Sequence, residues 1–352
     1  MIRPPKNKSN KAKTACFLLA VLIAAACLFP CCKAAEKRTA TFLDYFDTVV
    51  TLTAYAEEDS FASMKEETEA ALKKYHRLFD IYNEYEGMTN LASVNRMAGE
   101  TVEIDGEAIA LLELGIEYGK LTDGAVNIAM GAVLKLWHDE REAAKADPDS
   151  ASLPDPAALS EAAKHCSLND IVIDRANGKV LLADPEMRLD VGAIAKGFAA
   201  DRIAGLLEKY GVPFMLNCGG AVLANGNKPD GSPWIAGIED PRGGGFAAKA
   251  QIGNAALSTS GSYIRRYTVE NHDYGHIIDP ETLCPAEKLL SVSVLVPGES
   301  PAALADALST ACFVLGEEKA RILIGKVPGA EVLFVTLSGE KCTTGESMIP
   351  QK

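Results

Sequence analysis

Between residues 214 and 296 the chain offers five strand-length runs, at 214–224, 234–239, 246–252, 263–269 and 289–296, with no helical period between them. A sixth follows at 331–337. Strands that succeed one another without a crossover pair as antiparallel hairpins, because a parallel pair needs a dozen or more connecting residues. The same grammar appears earlier. "TFLDYFDTVVTLTAYA" (41–56) alternates and is rich in β-branched and aromatic residues, and "IVIDRANGKVLLAD" (171–184) is two short strands across the turn signal Asn177-Gly178. A doubly wound parallel sheet is thereby disfavoured, and the expected class is α+β, with mixed, largely antiparallel sheets flanked by helices.

Helical periodicity occupies the gaps. Phe61, Met64, Thr68, Ala71, Leu72, Tyr75, Leu78, Phe79 and Tyr82 mark one face of a helix beginning near Ser60. A second helix spans Gly106 to Tyr118. A third continues "LDVGAIAKGFAAD" (189–201) through Ile203, Leu206, Leu207 and Tyr210 until Gly211 and Pro213 stop it. Ser300-Pro301 reads as an N-cap followed by proline, opening a helix that ends at Gly316. The stretch 145–157, "KADPDSASLPDPA", reads as a loop, a small insertion or lid.

Residues 1–35 stand apart as leader and tether, leaving 36–352 as the folded domain; residues 33–40 read as tether. Arg3, Lys6, Lys8, Lys11 and Lys13 precede an apolar run from Thr14 to Phe29, the pattern of an export signal and short for a spanning helix. "IAAAC" (23–27) fits a loose lipobox, which predicts a lipid anchor on Cys27 and an extracytoplasmic protein held at the membrane. Cleavage near Ala34 and retention as an uncleaved anchor are the alternatives. The formal charge is −13; removing residues 1–26 takes away five positive charges and no acids, leaving −18. So acidic a chain is a poor partner for nucleic acid. Five cysteines lie beyond the leader (Cys166, Cys218, Cys284, Cys312, Cys342), scattered and never in C-x-x-C spacing, so neither a disulfide framework nor a thiolate metal site is expected.

Four stretches carry chemistry. In "LDVGAIAKGFAAD", Lys196 lies in the first turn of a helix, where a cation is locally unfavourable and wants a negative partner. The Walker spacing is absent. Read locally, Lys196 either reaches solvent or pairs with Asp190 or Asp201. In "ALADALSTACFVLG" (303–316), Asp306 and Thr310 fall on one helical face, half of a hard-cation site suited to Mg²⁺. In "NHDYGHIIDPETLCP" (271–285), His276 ends a short strand and is a candidate general base, or a structural histidine. "LNCGGAVLANG" (216–226) and "STSGSYIRR" (258–266) supply glycines and hydroxyls, and read equally as tight turns.

Taken together and in this order, "LDVGAIAKGFAAD", "NCGGAVLANG", "TSG" (259–261), "HIIDP" (276–280) and "ADALSTA" (305–311) resemble the FAD:protein FMN transferase family, also called the ApbE family of flavinyltransferases. The resemblance runs from about residue 42 to 345. It implies a T-fold-like flavinyltransferase architecture and an enzyme that splits FAD (its substrate) at the pyrophosphate. FMN would pass to a threonine or serine hydroxyl of a separate acceptor protein, AMP would leave, and Mg²⁺ would be required. By match to the family's motifs, Asp190 and Lys196 contact FAD, Ile278 touches it through its backbone, and Tyr82 contacts the flavin. Ala125, Val126 and Asn127 occupy an Ala-Phe-Asp segment of the cofactor site. Ala193 lends a carbonyl to the metal, with Asp306 and Thr310 as side-chain ligands. His276 is the candidate base for the acceptor hydroxyl and, with Lys196, the candidate for catalysis.

The sequence departs from the family in three places. Phe46-Asp47-Thr48 stands where Met-Gly-Thr is expected, so a flavin contact falls on Phe46. Asn127 replaces aspartate, and Leu283-Cys284 replaces a glycine. Two alternative activities remain at this level: a Mg²⁺-dependent FAD pyrophosphatase releasing FMN and AMP, and a flavin-binding lipoprotein without catalysis.

Overall fold

The hairpins read from the sequence form around turns that leave the backbone no other course. In the first, Phe46 and Asp47 both take positive φ (55° and 52°), as a two-residue turn matched to strand twist requires. Asp47 thus adopts the left-handed geometry that the family's glycine would supply, a region aspartate tolerates better than most residues. The 171–182 hairpin closes differently, through a 3₁₀ turn at Arg175–Asn177 that ends on Gly178 at φ 65°.

The computed structural model describes residues 35–263, 265–299 and 301–351. The leader, the Cys27 lipobox and the Ser300 cap lie outside the described residues. The chain opens with β1 (Glu36–Tyr45), β2 (Thr48–Ala56), α1 (Glu58–Leu78), α2 (Leu91–Arg96), β3 (Thr101–Glu103) and α3 (Gly106–Leu121). It continues through α4 (Gly131–Ala146), α5 (Pro156–Ala162), β4 (Ile171–Asp174), β5 (Lys179–Leu182) and α6 (Ala195–Leu207). A run of strands follows: β6 (Phe214–Cys218), β7 (Ala221–Asn225), β8 (Trp234–Glu239), β9 (Phe246–Ile252), β10 (Ala255–Gly261), β11 (Arg266–Val269) and β12 (His272–Gly275). Last come β13 (Ser291–Pro297), α7 (Ala302–Leu315), α8 (Glu317–Ile324), β14 (Glu331–Val335), β15 (Lys341–Thr343) and β16 (Met348–Pro350). No helix among the described residues is long and apolar enough to cross a membrane.

The main sheet has eight strands in the order β1-β2-β6-β7-β10-β13-β14-β15, antiparallel at every pairing from β2 onward. Period-two alternation sorts its side chains. Leu223, Ala256, Val292 and Val294 face α6 and α7, while Val222, Leu257 and Leu295 pack with Trp234, Ala250 and Ile252 of the small sheet β16-β9-β8. The α+β class with largely antiparallel sheets is what the sequence predicted.

Four local expectations differ. Residues 36–40, read as tether, belong to β1. The first helix stops at Leu78, so Tyr82 leaves its face; the Asp80 carboxylate accepts the N–H groups of Tyr82 (2.7 Å) and Asn83 (3.0 Å) and turns the chain. Ser258–Gly261, which read equally as a tight turn, lies in β10, paired with β13 throughout and with β7 as far as Ser258. Helix α4, unread in the sequence, fills 131–146 ahead of the predicted loop, and α5 starts where that loop was to end.

Candidate active site

On its helix-facing side β10 presents Ala256, Ser258 and Ser260, all small, and α7 lies against them. Asp306 and Thr310, one turn apart, both point into this seam, as their spacing predicted. Asp306 Oδ1 accepts the Ser258 hydroxyl at 2.8 Å, and Thr310 Oγ1 lies 3.2 Å from Ser260 Oγ. Ser309 hydrogen-bonds Ser260 at 2.9 Å and closes the hydroxyl layer. The carboxylate is 5% exposed, so a charge that would be costly in isolation is held by fixed donors.

The second wall is the start of α6. Lys196 pairs with neither Asp190 nor Asp201, the partners expected from local sequence. Its Nζ lies 3.5 Å from Asp306 Oδ2 and 3.4 Å from the Gly192 carbonyl. The Gly197 N–H, whose ordinary acceptor one turn back is the Ala193 carbonyl, donates to Asp306 Oδ2 at 3.1 Å. Glycine is required at 197: a Cβ there would lie 2.3 Å from the Ala302 carbonyl oxygen. Asp201 is committed elsewhere, accepting the Ala302 and Ala303 N–H groups at 2.8 and 2.9 Å.

His276 approaches from the segment after β12. Its Nδ1 is buried and makes no hydrogen bond. Burial lowers its pKa to about 4, helped by the positive charges of Arg265, Arg141 and Lys196. The imidazole is therefore neutral at physiological pH. Two residues on, Ile278 bridges Pro285 through bonds made by its neighbours (Asp279 N–H to the Cys284 carbonyl, Ala286 N–H to the Ile277 carbonyl, both 2.8 Å). In such a non-hydrogen-bonded pair the residue's own N–H and C=O point away from the partner, as a backbone contact to a ligand needs.

Burial raises the Asp190 pKa, and the carboxylate accepts the Gly192 N–H at 2.8 Å. Its own N–H bonds the Ile128 carbonyl at 2.9 Å, so the 125–128 segment lies against the start of the lysine stretch. Ala125 and Val126 are buried in the core, and the Asn127 amide is engaged at both ends, with the Cys166 carbonyl and the Ala129 N–H (2.9 Å each). Phe46 donates its N–H to His76 Nδ1 at 3.2 Å and packs edge-on against that ring. Thr48, beside it, fills the space over Gly219.

Sequence reasoning missed His138, Arg141 and Arg265. Tyr82, 57% exposed, stacks on His138 with centroids 4.5 Å apart, and Arg141 Nη2 lies 2.9 Å from His138 Nδ1. Burial and then Arg141 hold the His138 pKa below its ordinary value. The favourable charge of Arg141 and Arg265 is felt at Asp190 as well as opposing protonation of His276. In an acidic chain, three positive charges, those of Arg265, Arg141 and Lys196, act on His276. The missed signal is the i, i+3 pair His138/Arg141 on a helix whose buried side carries Val133, Trp137 and Ala144.

The donor set fits a hard cation. Among the described residues no group of three or more His, Cys, Asp or Glu side chains is arranged to hold a metal. The oxygens of Asp306, Thr310 and the 192–193 backbone are the type Mg²⁺ takes, with water or phosphate completing its shell. The Lys196 ammonium, shared between Asp306 and the Gly192 carbonyl, shows that this corner already holds positive charge.

A model described as the ApbE family matches residues 46–334. The chain is 38% identical over 263 residues to the FAD:protein FMN transferase of Treponema pallidum, covering 70% of each. It is 33% identical over 241 residues to that of Salmonella typhimurium, covering 66% of each. Among solved structures, the ApbE protein of Thermotoga maritima matches with a TM-score of 0.77 at 27% identity, over 87% of this chain and 96% of that one. The apo flavinyl transferase ApbE of Pseudomonas stutzeri gives 0.73 at 25% identity, over 89% and 95%.

Proposed function

The chain belongs to the ApbE family, and from that premise we propose that this FAD:protein FMN transferase works with Mg²⁺ on a threonine or serine hydroxyl of its acceptor, releasing AMP. The observation that carries this reading is the convergence of Lys196, Asp306 and Thr310 with a neutral His276 whose buried Nδ1 is unpartnered.

In the transfer, the acceptor oxygen bonds to the FMN phosphorus as the pyrophosphate P–O bond breaks, and AMP carries away the electron pair. The neutral His276 ring accepts the hydroxyl proton. Lys196 neutralises charge on the phosphate oxygens, and the Arg141 and Arg265 charges add to the field that draws an anionic substrate in. A neutral base is favoured before substrate arrives, because the same three cations oppose its protonation. A bound diphosphate balances them, which raises the proton affinity of His276 when the proton must move. Tyr82, Phe46 and Asp190 line the flavin side, with Ile278 offering its backbone. Asp306, Thr310 and the Ala193 carbonyl would hold Mg²⁺, which as a Lewis acid lowers the cost of charge on the pyrophosphate.

We further propose an extracytoplasmic enzyme anchored through a lipid on Cys27, a reading supported by the basic-then-apolar leader and the small residues before that cysteine. The acceptor is a separate protein on the same side of the membrane.

The test incubates purified protein with FAD, Mg²⁺ and a flavin-acceptor domain. In-gel flavin fluorescence of the acceptor, lost when its threonine or serine is replaced, is the expected result. Free FMN without labelling indicates hydrolysis, and unchanged FAD indicates a binding protein; either overturns the proposal.

A further inference from the structure

Among the described residues, neither Ile194 before α6 nor Pro301 before α7 caps its helix with a side chain. Each helix takes a cap from the other. Asp306, in the second turn of α7, accepts the Gly197 N–H in the first turn of α6 at 3.1 Å. Asp201, in the second turn of α6, accepts the Ala302 and Ala303 N–H groups that open α7 at 2.8 and 2.9 Å. Between them the backbones touch, with Gly197 against the Ala302 carbonyl. The metal-side oxygens are divided across this joint: Ala193 lies just before α6, while Asp306 and Thr310 lie on α7.

We propose that Asp201 is a positioning residue, whose two hydrogen bonds to α7 set the distance and register between Asp306 and the Ala193–Lys196 segment. This rests on the reading of that corner as the Mg²⁺ site. Folding stability alone is a poor reason to keep a carboxylate here. Burial pushes the Asp201 pKa up to about 6, so the fold prefers the protonated form and ionisation at neutral pH is a cost. Only the ionised form, however, offers two acceptor oxygens to two adjacent N–H groups at the positive end of a helix. An asparagine of the same shape keeps one oxygen and turns an NH₂ toward a donor, which loosens the joint without opening a cavity.

The experiment uses the FAD-free protein and its Asp201→Asn variant at pH 7, with Mn²⁺ as a paramagnetic probe for the Mg²⁺ site and melting temperature as the structural control. The expected result is Mn²⁺ binding weakened roughly tenfold, the size of one lost cap interaction, with Tm lowered by less than about 10 °C. Equal Mn²⁺ affinity in the two proteins, or a fall of more than about 10 °C in Tm, overturns the positioning role. Absence of Mn²⁺ binding in the unsubstituted protein overturns the metal reading itself, and the positioning role with it.

Discussion

The Asp306 carboxylate accepts the backbone N–H of Gly197 at 3.1 Å, across 109 residues of chain. With Lys196 Nζ 3.5 Å away and Ser258 Oγ donating from the sheet at 2.8 Å, one buried carboxylate joins α6, α7 and β10. On the proposed reading these elements supply what a diphosphate site needs: a cation, two hard oxygen donors and a polar floor. The geometry of the site is therefore the geometry of one residue's hydrogen bonds.

Replacing that residue tests the assignment. Asp306→Asn keeps the shape and an acceptor for Ser258, and is expected to lower turnover by roughly 10²–10³ at saturating Mg²⁺, as loss of an electrostatic contact in a dry site does. FAD binding, followed by quenching of flavin fluorescence, is expected to survive in part. Undiminished turnover at high Mg²⁺ would falsify the metal-ligand role.

The ring of His276 is expected to titrate with a midpoint near 4, because burial and the Arg265, Arg141 and Lys196 charges disfavour the imidazolium. The folded pKa lies below the unfolded value of about 6.5, so the neutral ring contributes stability above that pH and the contribution is lost as pH falls toward 4. NMR of the free enzyme reads the midpoint directly, and a value at or above 6.5 contradicts the buried, cation-flanked environment. His276→Gln is expected to cost on the order of 10²–10⁴ in kcat.

Arg141 is 15% exposed at its side chain and holds His138 beneath Tyr82. Arg141→Ala is expected to raise KM for FAD by about tenfold while moving kcat less, since it removes charge that attracts substrate rather than a group at the reacting phosphorus. It should also raise the pKa of His138, which the guanidinium helps to depress. Steady-state kinetics and a histidine titration check the two effects; a fall in kcat at unchanged KM argues for a different role.

One substitution made twice in α6 is expected to have opposite signs. At Gly197 a methyl group would sit 2.3 Å from the Ala302 oxygen, so Gly197→Ala must push the helices apart and lower both Tm and activity. At Gly205 nothing lies within 4 Å, and Gly205→Ala is expected to stabilise by roughly 0.5–1 kcal/mol with activity unchanged. Thermal melts of the two variants make the comparison.

Much of this was legible in the chain because it rests on local rules. Period-two alternation and turn residues marked hairpins such as Ile171–Leu182, and the four-residue spacing of Asp306 and Thr310 put both oxygens on one face. Where neighbours in space overrule neighbours in sequence, the reading failed. Ser258–Gly261 reads equally as a tight turn by composition, yet becomes a strand because β13 pairs with it throughout, with β7 on the other edge as far as Ser258. Tyr82 keeps the helical period but leaves the helix, since the Asp80 carboxylate bonds the N–H groups that follow it. His138 and Arg141 drew no notice because their role depends on Tyr82, 56 residues before His138.

The sequence by itself determined the class of fold and the residue types in the site, because periodicity and side-chain chemistry are properties of short segments. Only the tertiary structure decided who partners whom. Lys196 had two aspartates within reach along the chain, and the fold assigned it a third, Asp306, while turning Asp201 to the amides of α7. Burial is the physical reason: once α6 and α7 pack against the sheet, every carboxylate between them must find a donor, and the donors that packing brings are long-range ones.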